Sequence, residues 1–421
     1  MKIAHLNPAY HGGAGEAARR LHAGLLRRGI DSTFFNFQEE IPEEKTALIR
    51  SSRSLFSRLG SKWRAVSIEC ERARIRRQLD PLCDSFSDDR TSLAPDLGES
   101  LTGYDLIHIH GTSYLIDYRR SLRAFARRGQ RVVWTLHDMN AFTGGCHYDR
   151  DCGRFRQECG ACPALRSSSP ADLSRRIWGR KNEGLAQLDP ARVHFVCPSL
   201  WLTRTAGESS LLGRFSISRI ANAVDADRFH PADQREARHR LGLPPESRIV
   251  LFVASSLDLE RKGFHLLQEA LERLASLPGL FLAAVGATRQ THALKVPHRL
   301  FGSVSDPSLL RDIYNAADVT VVPSLQEAFG NILIESMACA VPVVGFARDG
   351  MTDILRDGES GLSVPSGDSA ALGEAIEAIL RDKPRRLEMG RKGRLQVERE
   401  YTLEINSAAY LHIYDQLLAK P

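Results

Sequence analysis

The stretch Val319–Glu335 restricts the fold more than any other part of the chain. Val319, Thr320, Val321 and Val322 read as a buried strand, Pro323-Ser324 breaks it, and Ile332, Leu333 and Ala338 fall at helical spacing after Phe329-Gly330. A strand that runs through a tight loop into a helix belongs to an open parallel α/β sheet, with the junction at the carboxyl ends of the strands. There the free N–H groups of the first helical turn and the positive end of the dipole meet an anion such as phosphate. Two acids frame this turn. Glu335 lies about one helical turn inside, where a carboxylate accepts hydrogen bonds from vicinal hydroxyls, and Glu327 lies in the loop itself.

A chain of 421 residues allows two or three domains. With 43% apolar and 26% charged residues it reads as globular, and its net charge of +6 favours anionic partners only where the charge is clustered. Met1-Lys2 leads directly into the strand-like Ile3-Ala4-His5-Leu6, not into a signal peptide, and no apolar run is long enough to span a bilayer. The expected location is therefore the cytosol. Eight cysteines in so long a chain then suggest thiols or metal ligands before disulfides.

After the first strand comes His11-Gly12-Gly13-Ala14-Gly15-Glu16, then a helix with Ala17, Ala18, Leu21, Leu25 and Leu26 on one face and Gly29 as its stop. Gly13 and Gly15 allow close approach of an anion, although a plain tight turn has the same composition. Residues 50–77 hold nine Lys and Arg against Glu69 and Glu71, interleaved with Leu55, Phe56, Leu59, Trp63, Val66 and Ile68. Such a segment is either a basic helix on an anionic membrane surface or an ordinary surface helix, and Arg119, Arg120, Arg123, Arg127, Arg128 and Arg131 would extend the same face. No nucleic-acid-binding module accompanies it.

Asp105–Gly111 and Arg131–Asp138 read as buried strands that deliver His110 and His137 at their carboxyl ends. Cys146, Cys152, Cys159 and Cys162 follow in the spacing C-x5-C-x6-C-x2-C; a structural zinc site, free thiols and disulfides all fit. Polar, Pro-containing residues 224–247 mark a linker, after which Arg248–Ala254 opens a second α/β domain. Arg261 and Lys262 stand at a helix start, placed to neutralise a diphosphate and the charge that develops on a leaving nucleotide. The strings Asp149-x-Asp151 and Asp225-x-Asp227 match a divalent-metal motif, but one lies in the cysteine loop and the other in the linker, so neither is assigned a metal.

In this context the pair Glu327-x7-Glu335 resembles the E-x7-E motif of retaining glycosyltransferases of family 4, which have the GT-B fold of two Rossmann-like domains. The resemblance implies that Glu335 holds the ribose of a nucleotide-sugar, that Glu327 touches hydroxyls of the donor sugar, and that the backbone of Phe329, Gly330, Asn331 and Ile332 faces sugar and diphosphate. It likewise implies a donor and acceptor role for the loop with Gly13 and Gly15, a sugar contact for His137 in a T-x-H element, phosphate binding for Lys262, and base contacts for the segment with Gly302 and Val304. Asp349–Thr352 should line the same crevice. The family's usual Gly-Arg pair is missing, since Ala254-Ser255-Ser256 stands there, and Arg261 is the substitute. The Gly144-Gly145-Cys146-His147-Tyr148 stretch with its following cysteines resembles the branch that contains the colanic-acid-type exopolysaccharide glycosyltransferases.

The expected architecture is therefore GT-B: an acceptor-side domain over 1–223, a linker over 224–247, a nucleotide-sugar domain over 248–400, and a helix over 401–421 that returns to the first domain. The expected activity is transfer of a hexosyl group, with retention, from a nucleoside-diphosphate sugar to a saccharide or lipid-linked saccharide in bacterial polysaccharide synthesis. His137, Lys262 and Glu327 would act at the reacting centre, with no metal required for catalysis and with peripheral attachment to the membrane as a further expectation. A phosphorylase or synthase-type reaction on the same fold, or a catalytically silent scaffold, are the alternatives.

Overall fold

Every pair of named strands is parallel, and the strands form two separate sheets. The computed structural model describes residues 1–9, 12–36, 45–48, 57–91, 97, 101–113 and 115–420, and the side chains of 57–62 are not among what it describes. His11, Arg50, Arg53, Leu55 and Phe56 lie outside the described residues. The chain divides into two compact units, Met1–Ala221 with Asn406–Pro421, and Asn222–Ile405.

In unit 1, β1 (Lys2–Leu6), β2 (Asp31–Asn36), β3 (Thr46–Leu48), β4 (Leu106–Ile109), β5 (Arg131–Thr135), β6 (Val193–Cys197) and β7 (Ser216–Arg219) stand in the order β3-β2-β1-β4-β5-β6-β7. Runs such as Leu106-Ile107-His108-Ile109 are buried along their whole length, as strands covered on both faces must be. The helices of this unit are α1 (Gly13–Arg27), α2 (Ser57–Gln78), α3 (Arg120–Arg127), α4 (Leu173–Leu185) and α5 (Leu200–Gly207). Helix α2 carries the basic segment. Ile68 and Ile75 bury one side of it, Arg64 pairs with Asp117 and Arg90 with Glu71, while Trp63 and Val66 stay exposed. Arg131, expected on a basic surface, instead donates to the carbonyls of Leu417 (3.0 Å) and Lys420 (2.6 Å).

Unit 2 comprises α6 (Gln234–Arg240), β8 (Arg248–Ser256), α7 (Phe264–Arg273), β9 (Leu280–Ala287), β10 (His298–Leu300), α8 (Pro307–Ala316), β11 (Val319–Val322), α9 (Asn331–Ala338), β12 (Val343–Phe346), β13 (Gly361–Val364), α10 (Ser369–Arg381) and α11 (Lys383–Glu400). Its sheet order is β10-β9-β8-β11-β12-β13. Residues 224–247, expected as a linker, belong to this unit. Asp233 caps α6, Phe229 is buried, and Arg238 pairs with Asp318 at 2.8 Å while donating to the Ala316 carbonyl at 2.9 Å. Asp318 also pairs with Arg386 and accepts the Ile249 N–H at 2.7 Å, so a polar sequence is fastened by one buried carboxylate.

The last helix, α12 (Leu403–Ala419), joins unit 1 from Asn406 onward. Tyr410, Tyr414 and Leu417 pack with Ile3, Leu106, Val133 and Val196 of the sheet and with Leu21 and Leu25 of α1. Among the described residues no helix is long and apolar enough to cross a membrane.

Candidate active site

In a sheet of this topology, ligands bind beyond the carboxyl ends of the strands at the point where the strand order reverses. That point lies between β1 and β4 in unit 1 and between β8 and β11 in unit 2.

In unit 1 the chemistry follows from register. Parallel pairing sets His5 beside His108 and His108 beside Val133, and side chains two residues apart share a face. His5, His108, His110, Thr135 and His137 therefore gather on one side of the sheet near its carboxyl edge. His5 Nδ1 lies 3.0 Å from His110 Nε2, and His110 Nδ1 lies 3.2 Å from His137 Nε2. His108 is engaged at both nitrogens, by Tyr414 Oη (2.6 Å) and Thr135 Oγ1 (2.7 Å), and Thr135 reaches Tyr410 Oη at 2.8 Å. The ring nitrogens of His5, His108 and His110 fall within 4.8 Å of one another, the spacing of a metal cage. The hydrogen bonds and the stacking of His108 on His110 (4.0 Å between centroids) make them instead a ladder of neutral rings. Burial holds His5, His108 and His110 well below the ordinary histidine value, and it pulls His137 down to about 4.

His110 and His137 line a cavity of about 460 Å³ together with Asn7, Gly13, Gly15, Ser113, Asp138, Asn140 and His147. Gly13, Gly15 and His137, the residues expected at a donor or acceptor site, share this cavity with Asn7, Asp138 and His147, which were not singled out from sequence. Gly12, at φ +89°, is the backbone position that turns β1 into α1. His147 Nδ1 pairs with Asp138 Oδ2 at 2.6 Å and its Nε2 with Ser87 Oγ at 2.8 Å, while Asp138 Oδ1 accepts the Asn140 N–H at 2.7 Å. Asn7 Oδ1 is buried with no partner among the described residues, a group that a ligand or water would satisfy.

In unit 2 the β11–α9 junction is a charged site. Lys262 Nζ forms an ion pair with Glu327, and Arg261 Nη1 lies 3.5 Å from the same carboxylate while donating to the Gln326 carbonyl at 2.7 Å. Burial alone would raise the Glu327 carboxyl, but Lys262 and Arg261 outweigh it and hold the group below the ordinary value. Gly263, at φ +71°, makes this contact possible: a Cβ there would stand 1.9 Å from the Pro323 carbonyl oxygen. Gly330, at φ +98°, caps α9, and Phe329 is buried behind it. Asn331 accepts from Asn222 at 2.9 Å. Glu335 is buried in α9 and accepts from Tyr314 Oη at 2.9 Å. Gly302 and Val304 follow β10 at the same sheet edge, where the Gly302 carbonyl accepts the Gly286 N–H at 2.8 Å. Gly350, in the segment after β12, donates to the Glu327 carbonyl at 3.0 Å.

The two Asp-x-Asp strings are turn builders. Asp149 accepts the N–H groups of Asp151 and Gly153, and Asp225 those of Asp227 and Arg228. Cys146, Cys152, Cys159 and Cys162 line a small void beneath the loop that follows β5.

Residues 233–396 match the family described as Glycosyl transferases group 1. The fold is GT-B, and the segment that matches this family lies within its second unit. The GT-B likeness extends over the full chain. Sucrose-phosphate synthase from Thermosynechococcus elongatus superposes with a TM-score of 0.66 at 20% identity, covering 100% of both chains. Anabaena HepE in complex with UDP and glucose gives a TM-score of 0.67 at 15% identity over 99% of each chain. Among curated relatives, D-inositol 3-phosphate glycosyltransferase of Acidothermus cellulolyticus is 36% identical over 296 residues, 66% of this chain and 60% of that protein. D-inositol 3-phosphate glycosyltransferase 2 of Catenulispora acidiphila is 36% identical over 188 residues, 41% of this chain and 44% of that protein. The chain therefore spans about half the length of these two relatives.

Proposed function

We propose that the chain is a retaining glycosyltransferase that moves a hexosyl group from a nucleoside-diphosphate sugar to a saccharide or lipid-linked saccharide in bacterial exopolysaccharide, capsule or lipopolysaccharide synthesis. The observation that carries this is the convergence of Lys262 and Arg261 on Glu327 at the reversal point of the unit 2 sheet, within the matched segment. In the donor complex the diphosphate takes over Lys262 and Arg261, and Glu327 turns its released oxygen to sugar hydroxyls. Glu335 then accepts from the ribose. The two cations offset the charge that builds on the leaving diphosphate, so a catalytic metal is not required, and the leaving phosphate takes the acceptor proton on the same face of the sugar.

The unit 1 cavity is assigned to the acceptor and to the outer face of the donor sugar. Its described lining offers His, Asp, Asn, Ser and Thr, all partners for hydroxyls, and none of those lining residues is Lys or Arg. A neutral glycosyl acceptor fits it better than the inositol phosphate named for the curated relatives. The ladder supports a hydrogen-bond-donor role for His137. Among the described residues His5 Nε2 is buried without a partner, and a bare ring nitrogen is tolerated there better than an orphaned N–H. His5 therefore donates to His110, His110 donates to His137 Nε2, and the His137 proton sits on Nδ1, free to donate to a sugar oxygen. On the outer surface, Trp63 and Val66 of basic α2 are assigned to peripheral contact with anionic lipid.

Thermal-shift screening against UDP- and GDP-sugars tests the central reading, because a ligand of the folded state raises the melting temperature by mass action. The expected result is a shift with one nucleotide class. The absence of a shift with every nucleotide and nucleotide-sugar would overturn it.

A further inference from the structure

Between Leu136 and Leu173 the chain forms no strand and no α-helix, only three short 3-10 turns at Asn140–Phe142, Arg154–Arg156 and Pro163–Leu165. Loops of this length in compact domains need something to hold them. Arg150, Asp151, Ala161 and Arg166 all have positive φ here, between 42° and 62°, and such conformations persist only where their surroundings enforce them. The core under the loop is thin, with Cys162 and Leu165 packed on Leu173, Ile177 and Ile75.

Within it lies a void of about 20 Å³ whose lining includes Cys146, Cys152, Cys159 and Cys162 together with Phe86 and Phe155. That is room for one ion or one water. All four sulfurs are free thiols. The Gly144 N–H donates to Cys159 Sγ at 3.1 Å, an arrangement that stabilises a thiolate. In the Cys159-Gly160-Ala161-Cys162 turn, Arg154 donates to the carbonyls of Gly160 and Ala161, which fastens the backbone between the two cysteines.

We propose that Cys146, Cys152, Cys159 and Cys162 bind one zinc ion as a tetrahedral four-thiolate site that locks the 138–172 loop. No three of the four sulfurs lie within 4.8 Å of one another. Zn–S bonds of about 2.3 Å place sulfurs about 3.8 Å apart, so loading draws the thiols inward around the ion. Binding releases one proton from each thiol and leaves a site of charge −2. Lys181, fully buried on α4 against the Asn140 carbonyl, and Arg154 at the void supply the compensating charge. Asn140, Ala141 and His147 belong both to this loop and to the wall of the unit 1 cavity, so the ion is structural and acts on the cavity through the loop.

The test uses the full chain purified under reducing conditions without added metal. Elemental analysis is expected to find about one zinc per chain, released when a mercurial titrates the thiols. The double variant Cys159→Ser/Cys162→Ser is expected to lose the zinc and melt at lower temperature while still binding nucleotide in unit 2. If that variant fails to fold, cobalt exchange into the wild-type chain is expected to give the absorption of tetrahedral Co–thiolate. Zinc-free protein with four reactive thiols, two disulfides by mass spectrometry, or unchanged zinc in the double variant would each overturn the proposal. Because the readouts are metal content and spectrum, they stand apart from whether the nucleotide-sugar reading holds.

Discussion

Both sheets reverse their strand order at a comparable place, yet the groups they hold there are of opposite kinds. Unit 1 collects imidazoles that burial keeps uncharged, joined by hydrogen bonds over 3.0 and 3.2 Å. Unit 2 collects a carboxylate and two cations in direct contact. Neutral donors and acceptors suit a sugar, whose hydroxyls carry no charge. Fixed cations suit a diphosphate, whose charge grows as the glycosidic bond breaks. One topology thus presents two kinds of polar surface through the residues placed at the strand ends, which is why fold alone does not assign activity.

The contrast breaks most visibly at Lys262. Lys262→Ala should lower turnover by about 10²–10³, the scale of removing one preorganised charge from a reacting centre, as measured by initial rates at saturating donor. Glu335→Ala should weaken nucleotide binding by about 1.5–3 kcal/mol, the scale of charged hydrogen bonds, and unchanged affinity by calorimetry would contradict the ribose assignment. Glu327→Gln should separate the two functions of its loop: turnover falls, while UDP or GDP binds no more weakly, because the competitor for Lys262 is gone. His137→Gln should reduce turnover more modestly and leave nucleotide affinity unchanged, and ring-nitrogen NMR of the wild-type protein should find the His137 proton on Nδ1.

The smallest effect sharpens the comparison through acid. Burial pulls His137 down to about 4 and also depresses His5, His108 and His110, so the folded chain binds fewer protons than the unfolded one below the ordinary value of about 6.5. Their contribution to unit 1 is full above that pH and is lost as pH falls below it, at up to about 1.4 kcal/mol per unit for each ring. Glu327 is also depressed, but from a carboxylate value of about 4.3, so its contribution to unit 2 persists until pH falls below that. Hydrogen exchange between pH 7 and 5 should therefore show unit 1 loosening first; simultaneous loosening would remove the contrast.

Much of the fold was legible because buried parallel strands leave apolar or β-branched runs, as in Val319–Val322 and residues 249–254, and because glycines mark the turns beyond them. Glu327, Lys262 and His137 could be found because each stands at a strand end or helix start. His5 and His108 could not be singled out one at a time, since a lone histidine in a strand reads as core. Only the register between β1, β4 and β5 shows that they stack, and alternation on neighbouring strands (His5, His108-x-His110, Thr135-x-His137) was the available signal. The polar run 224–247 misled for a related reason: its place is fixed by Arg238 meeting Asp318, a contact 80 residues apart that no local pattern reveals.

The position of α12 has a consequence for synthesis. Tyr414 and Tyr410 supply the hydroxyls that His108 and Thr135 need, yet they are translated only after the whole of unit 2. While the nascent chain is still on the ribosome, the first sheet waits with an uncovered apolar face and unsatisfied polar groups, whereas the second can close as soon as its own strands emerge. A protease added to stalled nascent chains should therefore cut the earlier-made unit and spare the later one, inverting the usual amino-to-carboxyl order of folding.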